Sequence, residues 1–421
     1  MRFGSNVIMF EAFSVPMVGN AATSYLIGLT PEGAEVCRRM LAEDVPEEEV
    51  AAVDAHLPEH LQRGGFLESR ERSCSLQSAY LHVTQACNLD CVGCYSCDEQ
   101  RNRSEDLPLE ALCAIVDELG RRGVSRLVIS GGEPFLCDDL AALVRHAKEQ
   151  AGIGSIDVLT NGTCISAEKL AALAPYVDRV SVSFDGASAD APSPIRGEQR
   201  FDQLVAAVEA IRQAGIAAHI IPTIHKGNVA DIAAYSALAA ELGATMNFSL
   251  LSAPDDGGPL SELLPDDAAL AELAERMLGT KEHPPVQVAD VPVGAGLRLS
   301  LGCGAGCSGV SVGHDGRVYP CHMLHDDALA LGSLAAPASR GASAAEGGAP
   351  AAALEAPDFS VLSQITVDEV EACCGCEIKY LCGGGCRARA YFATGDLRGL
   401  DPYCALMREY YRLLFQRMMG R

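Results

Sequence analysis

Cys87, Cys91 and Cys94 stand in the run "CNLDCVGC", with three and then two residues between them. That spacing lets one loop wrap three thiolates around one face of an iron–sulfur cubane. A four-iron cluster normally takes four cysteines, so three leave one iron open to a small molecule. Zinc would prefer a fourth ligand, which Cys97 could supply. A second set follows near the C-terminal end. Cys303 precedes Gly316 and Cys321, then Cys373, Cys376, Cys382 and Cys386 crowd the run "CCGCEIKYLCGGGC", and Cys404 comes after. Common zinc ribbons use two CxxC knuckles about 15–20 residues apart. Here one CxxC is followed by gaps of five and three, which favours iron over zinc. Cys374 fits no spacing and reads as a spare thiol. Between the two sets lies "SGGEP", Ser130 to Pro134. Its glycine pair permits close backbone approach to a ligand, and Glu133 offers a carboxylate to an ammonium group. Alone, a Gly-Gly pair is more often just a turn.

The elements around these residues form three zones. In residues 1–72, VIMFE (7–11) and TSYLIGL (23–29) read as short strands. Thr30-Pro31-Glu32 opens a helix, and a second helix is expected over 46–57. Strands followed by small helices suggest a winged-helix-like module. From 73 to 290, six apolar strand candidates (79–84, 126–130, 155–159, 179–184, 218–224 and 245–250) alternate with six helical stretches. Six βα units imply a parallel sheet with right-handed crossovers. The count falls short of a closed eight-stranded barrel, so an open partial (β/α)6 barrel is expected. The first cysteines then sit at the C-terminal end of the first parallel strand, where active sites gather in such sheets. Residues 291–421 are rich in glycine and cysteine and read as a small metal-organised domain. It carries a flexible Ala/Gly/Pro-rich insertion at 335–357 and a closing amphipathic helix.

Together, the CxxxCxxC loop, the GGE run after the second strand and the six βα units resemble the radical S-adenosylmethionine (radical SAM) enzymes. The resemblance implies that the open iron binds S-adenosylmethionine (AdoMet). Gly131, Gly132 and Glu133 would hold its amino end, and Ser183 and Arg196 match positions that contact ribose and carboxylate. Gly93 stands where the family usually has an aromatic residue, and Tyr95 follows instead. The implied chemistry is the cofactor's: one electron breaks a C–S bond of AdoMet, and the resulting 5′-deoxyadenosyl radical takes a substrate hydrogen. The later cysteines resemble the SPASM extension of that family, which binds two auxiliary clusters. By that resemblance Cys303, Cys307, Cys321 and Cys386 hold one, and Cys373, Cys376, Cys382 and Cys404 the other. Three [4Fe–4S] clusters use eleven of the eighteen cysteines. The other seven read as mostly packing residues, with Cys97 singled out because it lies near the expected site.

SPASM enzymes mostly modify peptides. The run "SYLIGLTPEGAEVCRRM" with its preceding strands resembles a RiPP recognition element, a module that binds the leader of a ribosomally made peptide by strand addition. The expected function is therefore maturation of such a peptide, with a thioether between a cysteine sulfur and a carbon as product. Alternatives are formylglycine formation of the sulfatase-maturing type and carbon–carbon coupling in redox-cofactor biosynthesis. Sulfatase-maturing enzymes typically carry an Asp base after the cysteine matching Cys321. Here His322 stands there, which leaves His322 and Cys97 as the candidate catalytic residues. The expected partners are a precursor peptide with its leader and an electron donor such as flavodoxin or ferredoxin. A balance of 56 acidic against 32 basic residues gives a net charge of −24, which repels phosphate backbones and disfavours nucleic acid. No apolar run approaches membrane-spanning length, and the first residues read poorly as a signal peptide. A cytoplasmic enzyme is expected, where reducing conditions favour thiolate ligands over disulfides.

Overall fold

A computed structural model describes residues 1–70, 75–96, 101–254, 258–281, 283–289, 291, 293, 296–335 and 365–420. The chain divides into two compact units. One comprises Met1–Cys74, Val291–Cys303 and Ile365–Arg421, and the other Ser75–Asp290 and Gly304–Gln364.

The first unit begins with an antiparallel sheet of β1 (Val7–Ala12), β2 (Val15–Asn20) and β3 (Leu26–Gly28), in that order. Phe13 and Ser14 join β1 to β2, and both have positive φ, the handedness that suits a two-residue hairpin between twisted strands. Helices α1 (Pro31–Ala42), α2 (Glu47–Val53) and α3 (Leu57–Arg63) follow. Thr30 caps α1 by accepting from Gly33 N at 3.0 Å, as its position before Pro31 requires. The single helix expected over 46–57 is two. It stops at Asp54, whose Oδ1 accepts from His56 N at 2.9 Å, and Pro58 starts a new first turn. Val18, Cys37, Met40, Val50, Leu61 and Phe66 make the core. Burial pushes the Cys37 thiol up to about 11, so it serves as a small apolar side chain.

The second unit is an α/β unit built on β4 (Ser78–His82), β5 (Arg126–Ser130), β6 (Ser155–Thr160), β7 (Arg179–Phe184) and β8 (Ala217–Ile224). All neighbouring pairs among them are parallel. Their crossovers carry α4 (Leu109–Arg121), α5 (Leu140–Glu149), α6 (Ala167–Leu173) and α7 (Phe201–Gln213). Helix α8 (Ile232–Glu241) leads to two short strands, β9 (Thr245–Met246) and β10 (Ser249–Leu250), that both pair with β8. Together they replace the expected sixth strand, and α9 (Asp267–Leu278) follows. The helices pack on one face. In α4, Leu112, Ile115, Val116 and Leu119 are buried, an i, i+3, i+4, i+7 stripe. Leu81, Leu127 and Ile129 are fully buried, each stabilising by about 1.5–3 kcal/mol.

The chain then adds three strands to the same sheet: β11 (Gly309–Val312), β12 (Arg317–Tyr319) and β13 (Gly332–Ser333). β11 runs parallel to β4, and β12 and β13 continue antiparallel. The strand order is β10-β8-β7-β6-β5-β4-β11-β12-β13, so the sheet stays open. Residues 291–421, expected as one domain, are therefore shared. The β11–β13 segment joins the parallel sheet, because its ladder on β4 covers the sheet edge. The insertion expected at 335–357 lies outside the described residues beyond Ala335.

The first unit resumes with α10 (Lys379–Cys382), α11 (Arg387–Thr394) and α12 (Cys404–Met418). Phe13 packs on Phe415 with ring centres 5.0 Å apart, and Phe10 on Tyr380 at 5.2 Å. Tyr411 donates to Leu381 O at 2.9 Å. These contacts hold the N-terminal strands and the C-terminal helices in one core.

Candidate active site

In the second unit, the C-terminal ends of β4 to β7 carry, in turn, the cysteine loop, Gly131 to Glu133, Asn161, and Ser183 with Asp185. Parallel strands bring these ends to one side of the sheet.

The cysteine loop is pinned at both ends. Asn102, with φ +59°, accepts from Cys87 N at 2.8 Å and donates to Cys87 O at 3.0 Å. Val92 N donates to Ile195 O at 2.9 Å. Arg101 Nη2 lies 3.6 Å from Cys94 Sγ, and Asn161 Nδ2 lies 4.0 Å from Cys87 Sγ. Burial raises the Cys87 and Cys91 thiols. Cys94 pushes in the same direction on both, while Arg101 opposes. The three thiols thus lie within electrostatic reach of one another, beside cationic and amide donors, an environment that suits metal-bound thiolates.

Gly131 has φ +129°, and a side chain there would strike Thr84 O. One at Gly132 would strike Ala86 O. Gly132 N donates to Thr84 O at 2.7 Å and Glu133 N to Ala86 O at 2.8 Å. The close approach inferred from sequence is thus made to the chain's own cysteine loop. Glu133 is fully buried. Its carboxylate accepts from Phe135 N (3.0 Å), Thr160 Oγ1 (2.7 Å) and Asn161 N (2.8 Å). Burial raises it and these bonds oppose the rise. Glu133 thereby locks the β5 end to the β6 end, with about one of a carboxylate's four acceptor positions left for a ligand.

Arg196 pairs with the buried Asp185, whose Oδ2 also accepts from Ser193 Oγ (2.5 Å) and Arg196 N (3.1 Å). Burial lowers the guanidinium, and the Cys91 and Cys94 thiols that it faces pull the other way. Ser183 is half-buried on β7. Two residues back, Ser181 Oγ is buried with no hydrogen-bond partner among the described residues, and so are both ring nitrogens of His82 on β4. Orphaned buried polar atoms on this sheet suit a polar ligand such as AdoMet, since leaving them unpaired is costly.

His82 stacks on His325 at 4.2 Å, and His325 on Tyr319 at 4.4 Å. Tyr80 stacks on His322 at 4.2 Å, with Tyr95 edge-on to His322 at 5.3 Å. His322 Nδ1 lies 3.6 Å from Cys321 Sγ. Burial, with His322 and His314 adding, lowers His325 to about 3. Cys97, the other catalytic candidate, lies outside the described residues. Asn102, Asn161, Asp185, His82 and His325 were not among the residues picked from sequence. A histidine inside the apolar run AYLHVT was the available signal for His82.

In the first unit, burial raises the Cys373, Cys382 and Cys404 thiols, and neighbouring cysteines add to each. Burial is the main cause for Cys373, with Cys376 and Cys404 adding, and burial lifts Cys382 to about 12 with Asp401, Cys404 and Cys373 adding. Cys386 is raised by burial and among the cysteines responds to Cys303. Cys303 and Cys386 lie in the first unit, and Cys307 and Cys321 in the second. Cys374 is exposed. Gly383, Gly384 and Gly385 all have left-handed φ, and side chains at Gly383 and Gly385 would strike Ser300 and Asp401. Only glycine suits this bend. Among the described residues no three His, Cys, Asp or Glu side chains are placed to hold a single metal ion. A four-iron cluster instead takes its cysteines on separate irons.

Residues 81–238 match the radical SAM superfamily. The mycofactocin maturase MftC of Mycolicibacterium smegmatis is 32% identical over 334 residues, covering 76% of this chain and 81% of that protein. The AdoMet-dependent heme synthase of Methanosarcina barkeri is 29% identical, covering 76% and 94%. The PqqA peptide cyclase of Ruegeria pomeroyi is 27% identical, covering 79% and 87%. Among solved structures, native anSMEcpe with bound AdoMet aligns with a TM-score of 0.59 at 17% identity, covering 82% of this chain and 98% of that one. Streptococcus suis SuiB bound to its precursor peptide SuiA aligns with 0.57 at 14% identity, covering 96% and 99%. These two speak for the fold. No helix among the described residues is long and apolar enough to cross a membrane. The chain belongs to the radical SAM superfamily and is an enzyme of that family.

Proposed function

We propose that this enzyme matures a ribosomally made peptide, activating one of its C–H bonds with AdoMet over a cluster held by Cys87, Cys91 and Cys94. The observation that carries the reading is the grouping of those thiols beside Arg101, Asn161 and Arg196, at the end of a sheet that also carries the orphaned polar atoms of His82 and Ser181. When bound, the cluster and AdoMet supply the one-electron chemistry that opens an inert C–H bond. The chain's own residues do the rest. Gly131 and Gly132 let the β5 end close on the cysteine loop, Glu133 fixes the β5–β6 junction, and Asp185 aims Arg196. Ser183 and Arg196 are the contacts for ribose and carboxylate. In the first unit, β3 pairs only with β2 among the described residues. Its free edge can accept an extended leader segment as an added strand.

A thioether between a cysteine sulfur and a carbon is the proposed product, and a cluster held by the C-terminal cysteines would supply an acceptor for the leftover electron. Carbon–carbon coupling is the second reading, favoured by the names of the mycofactocin and PqqA relatives. The test uses reduced, reconstituted enzyme with AdoMet and the short peptide encoded beside its gene. 5′-Deoxyadenosine together with a peptide lacking two hydrogens is expected. Alkylation then separates the readings, since a thioether consumes a free thiol and a carbon–carbon bond does not. Absence of 5′-deoxyadenosine overturns both.

A further inference from the structure

Arg387 opens α11 directly after Cys386 and is buried, with 4% exposure. Its Nη1 donates to Leu397 O and Gly399 O, both at 3.1 Å. Its Nε and Nη2 meet no hydrogen-bond partner among the described residues. No carboxylate is paired with it among those residues, unlike Arg389 beside it, which pairs with Asp401 at 2.9 Å. A buried cation without a counter-ion is costly, so the site calls for an anion. The free edge indicates where. A side chain on Gly384 would lie 3.2 Å from Arg387 Nη2 and 3.4 Å from Val367, and Val367 packs with Cys373. Gly384 itself sits between Cys382 and Cys386.

We infer that Arg387 is the buried counter-charge of a four-thiolate iron–sulfur centre on Cys373, Cys376, Cys382 and Cys404, and that it raises that centre's reduction potential. The inference rests on the auxiliary-cluster reading of those cysteines. Four thiolates make such a centre net anionic, and reduction adds one more negative charge. A fixed buried cation therefore favours the reduced form, and net charge and hydrogen bonds to sulfur are known levers on these potentials. Arg408, one turn after Cys404 on α12, approaches the same thiols from an exposed position. Its charge is screened, so Arg387 carries the larger share.

The test is redox titration of the anaerobic, fully loaded protein, followed by electron paramagnetic resonance. The auxiliary signal is the one lost, together with iron, in Cys376→Ala. Arg387→Met is expected to disfavour its reduction at least tenfold, a downward shift of about 59 mV or more for a one-electron couple. Arg387→Lys, which keeps the charge, is expected to stay close to the parent. Full iron with an unmoved midpoint in Arg387→Met overturns the inference. If the Met variant fails to load, Arg387→Gln, which removes the charge but keeps an amide donor, decides: a tenfold fall there supports the role of charge, and an unmoved midpoint overturns it. Unchanged iron content in Cys376→Ala overturns the underlying cluster reading instead. A purely structural Arg387, bracing Leu397 and Gly399, would leave the potential where it is.

Discussion

Asp401 is the residue on which the C-terminal cysteine segments hang, and Asp401→Asn tests this. The residue is 2% exposed. Its oxygens accept from Arg389 Nε at 3.1 Å and Nη2 at 2.9 Å, from Cys386 N at 2.6 Å and from Tyr403 N at 3.0 Å. Its own carbonyl receives Cys404 N at 2.9 Å. Asparagine keeps the shape and one acceptor oxygen but removes the charge. Arg389, whose side chain is 1% exposed, then loses the carboxylate charge that it pairs with. Breaking a buried pair in this way costs about 3–5 kcal/mol, a large part of the roughly 5–15 kcal/mol that holds a domain together. Replacing both partners, as in Asp401→Asn with Arg389→Met, removes the buried cation as well and is expected to cost less than the single change. Urea unfolding of the anaerobic protein, read beside iron per chain, measures both. The single variant should lose auxiliary iron and unfold at lower urea, with AdoMet cleavage at Cys87, Cys91 and Cys94 retained. A single variant within about 0.5 kcal/mol of the parent, the range of an inconsequential surface change, with full iron, would refute the reasoning.

Further expectations follow from the same residues. Cys91→Ala should abolish formation of 5′-deoxyadenosine, whereas Cys376→Ala should keep it while losing modified peptide; equal loss in both would point to misfolding. His325 titrates near 3 in the folded chain against an ordinary 6.5, because burial, helped by His322 and His314, disfavours its cation. The unfolded chain therefore takes up the proton first, so stability is full above about pH 6.5 and declines as pH falls towards 3. At about 1.36 kcal/mol per pH unit, the drop from pH 7.5 to 5.5 should cost roughly 1.4 kcal/mol from this residue. His325→Phe, which preserves the stack, should flatten that part of the urea-midpoint profile; an unaltered profile would sink the assignment.

The parallel sheet was legible because buried strands such as RLVIS and RVSVSF are nearly continuous apolar runs between amphipathic helices. Strand β2 escaped notice because Pro16 and Gly19 interrupt VPMVGN, although Pro16 sits near the strand's start, where proline is tolerated. Strands β11 to β13 are two to four residues long, too short for a period to show. Their place is decided by pairing with β4, far away in sequence. The cysteine runs stood out in the sequence because spacing is a local property. The residues that brace them did not, since Asn102, Asp185, Arg387 and Asp401 act through contacts that only folding creates. Glu133 shows the difference: its position in SGGEP was readable, but its three hydrogen bonds to protein donors were not.

The ladder between β4 and β11 also sets a timetable. Ser78 and Ser308, at its edge, are 230 residues apart. At about 5–20 residues per second, the ribosome needs roughly 10–50 s to deliver the second after the first. During that interval the strand leading into the Cys87 loop has one unpaired edge, the kind of surface that recruits stray strands. The cofactor loop can be made early, but its sheet is sealed late. A lower expression level, which thins the neighbouring chains while that edge is open, should therefore favour soluble enzyme.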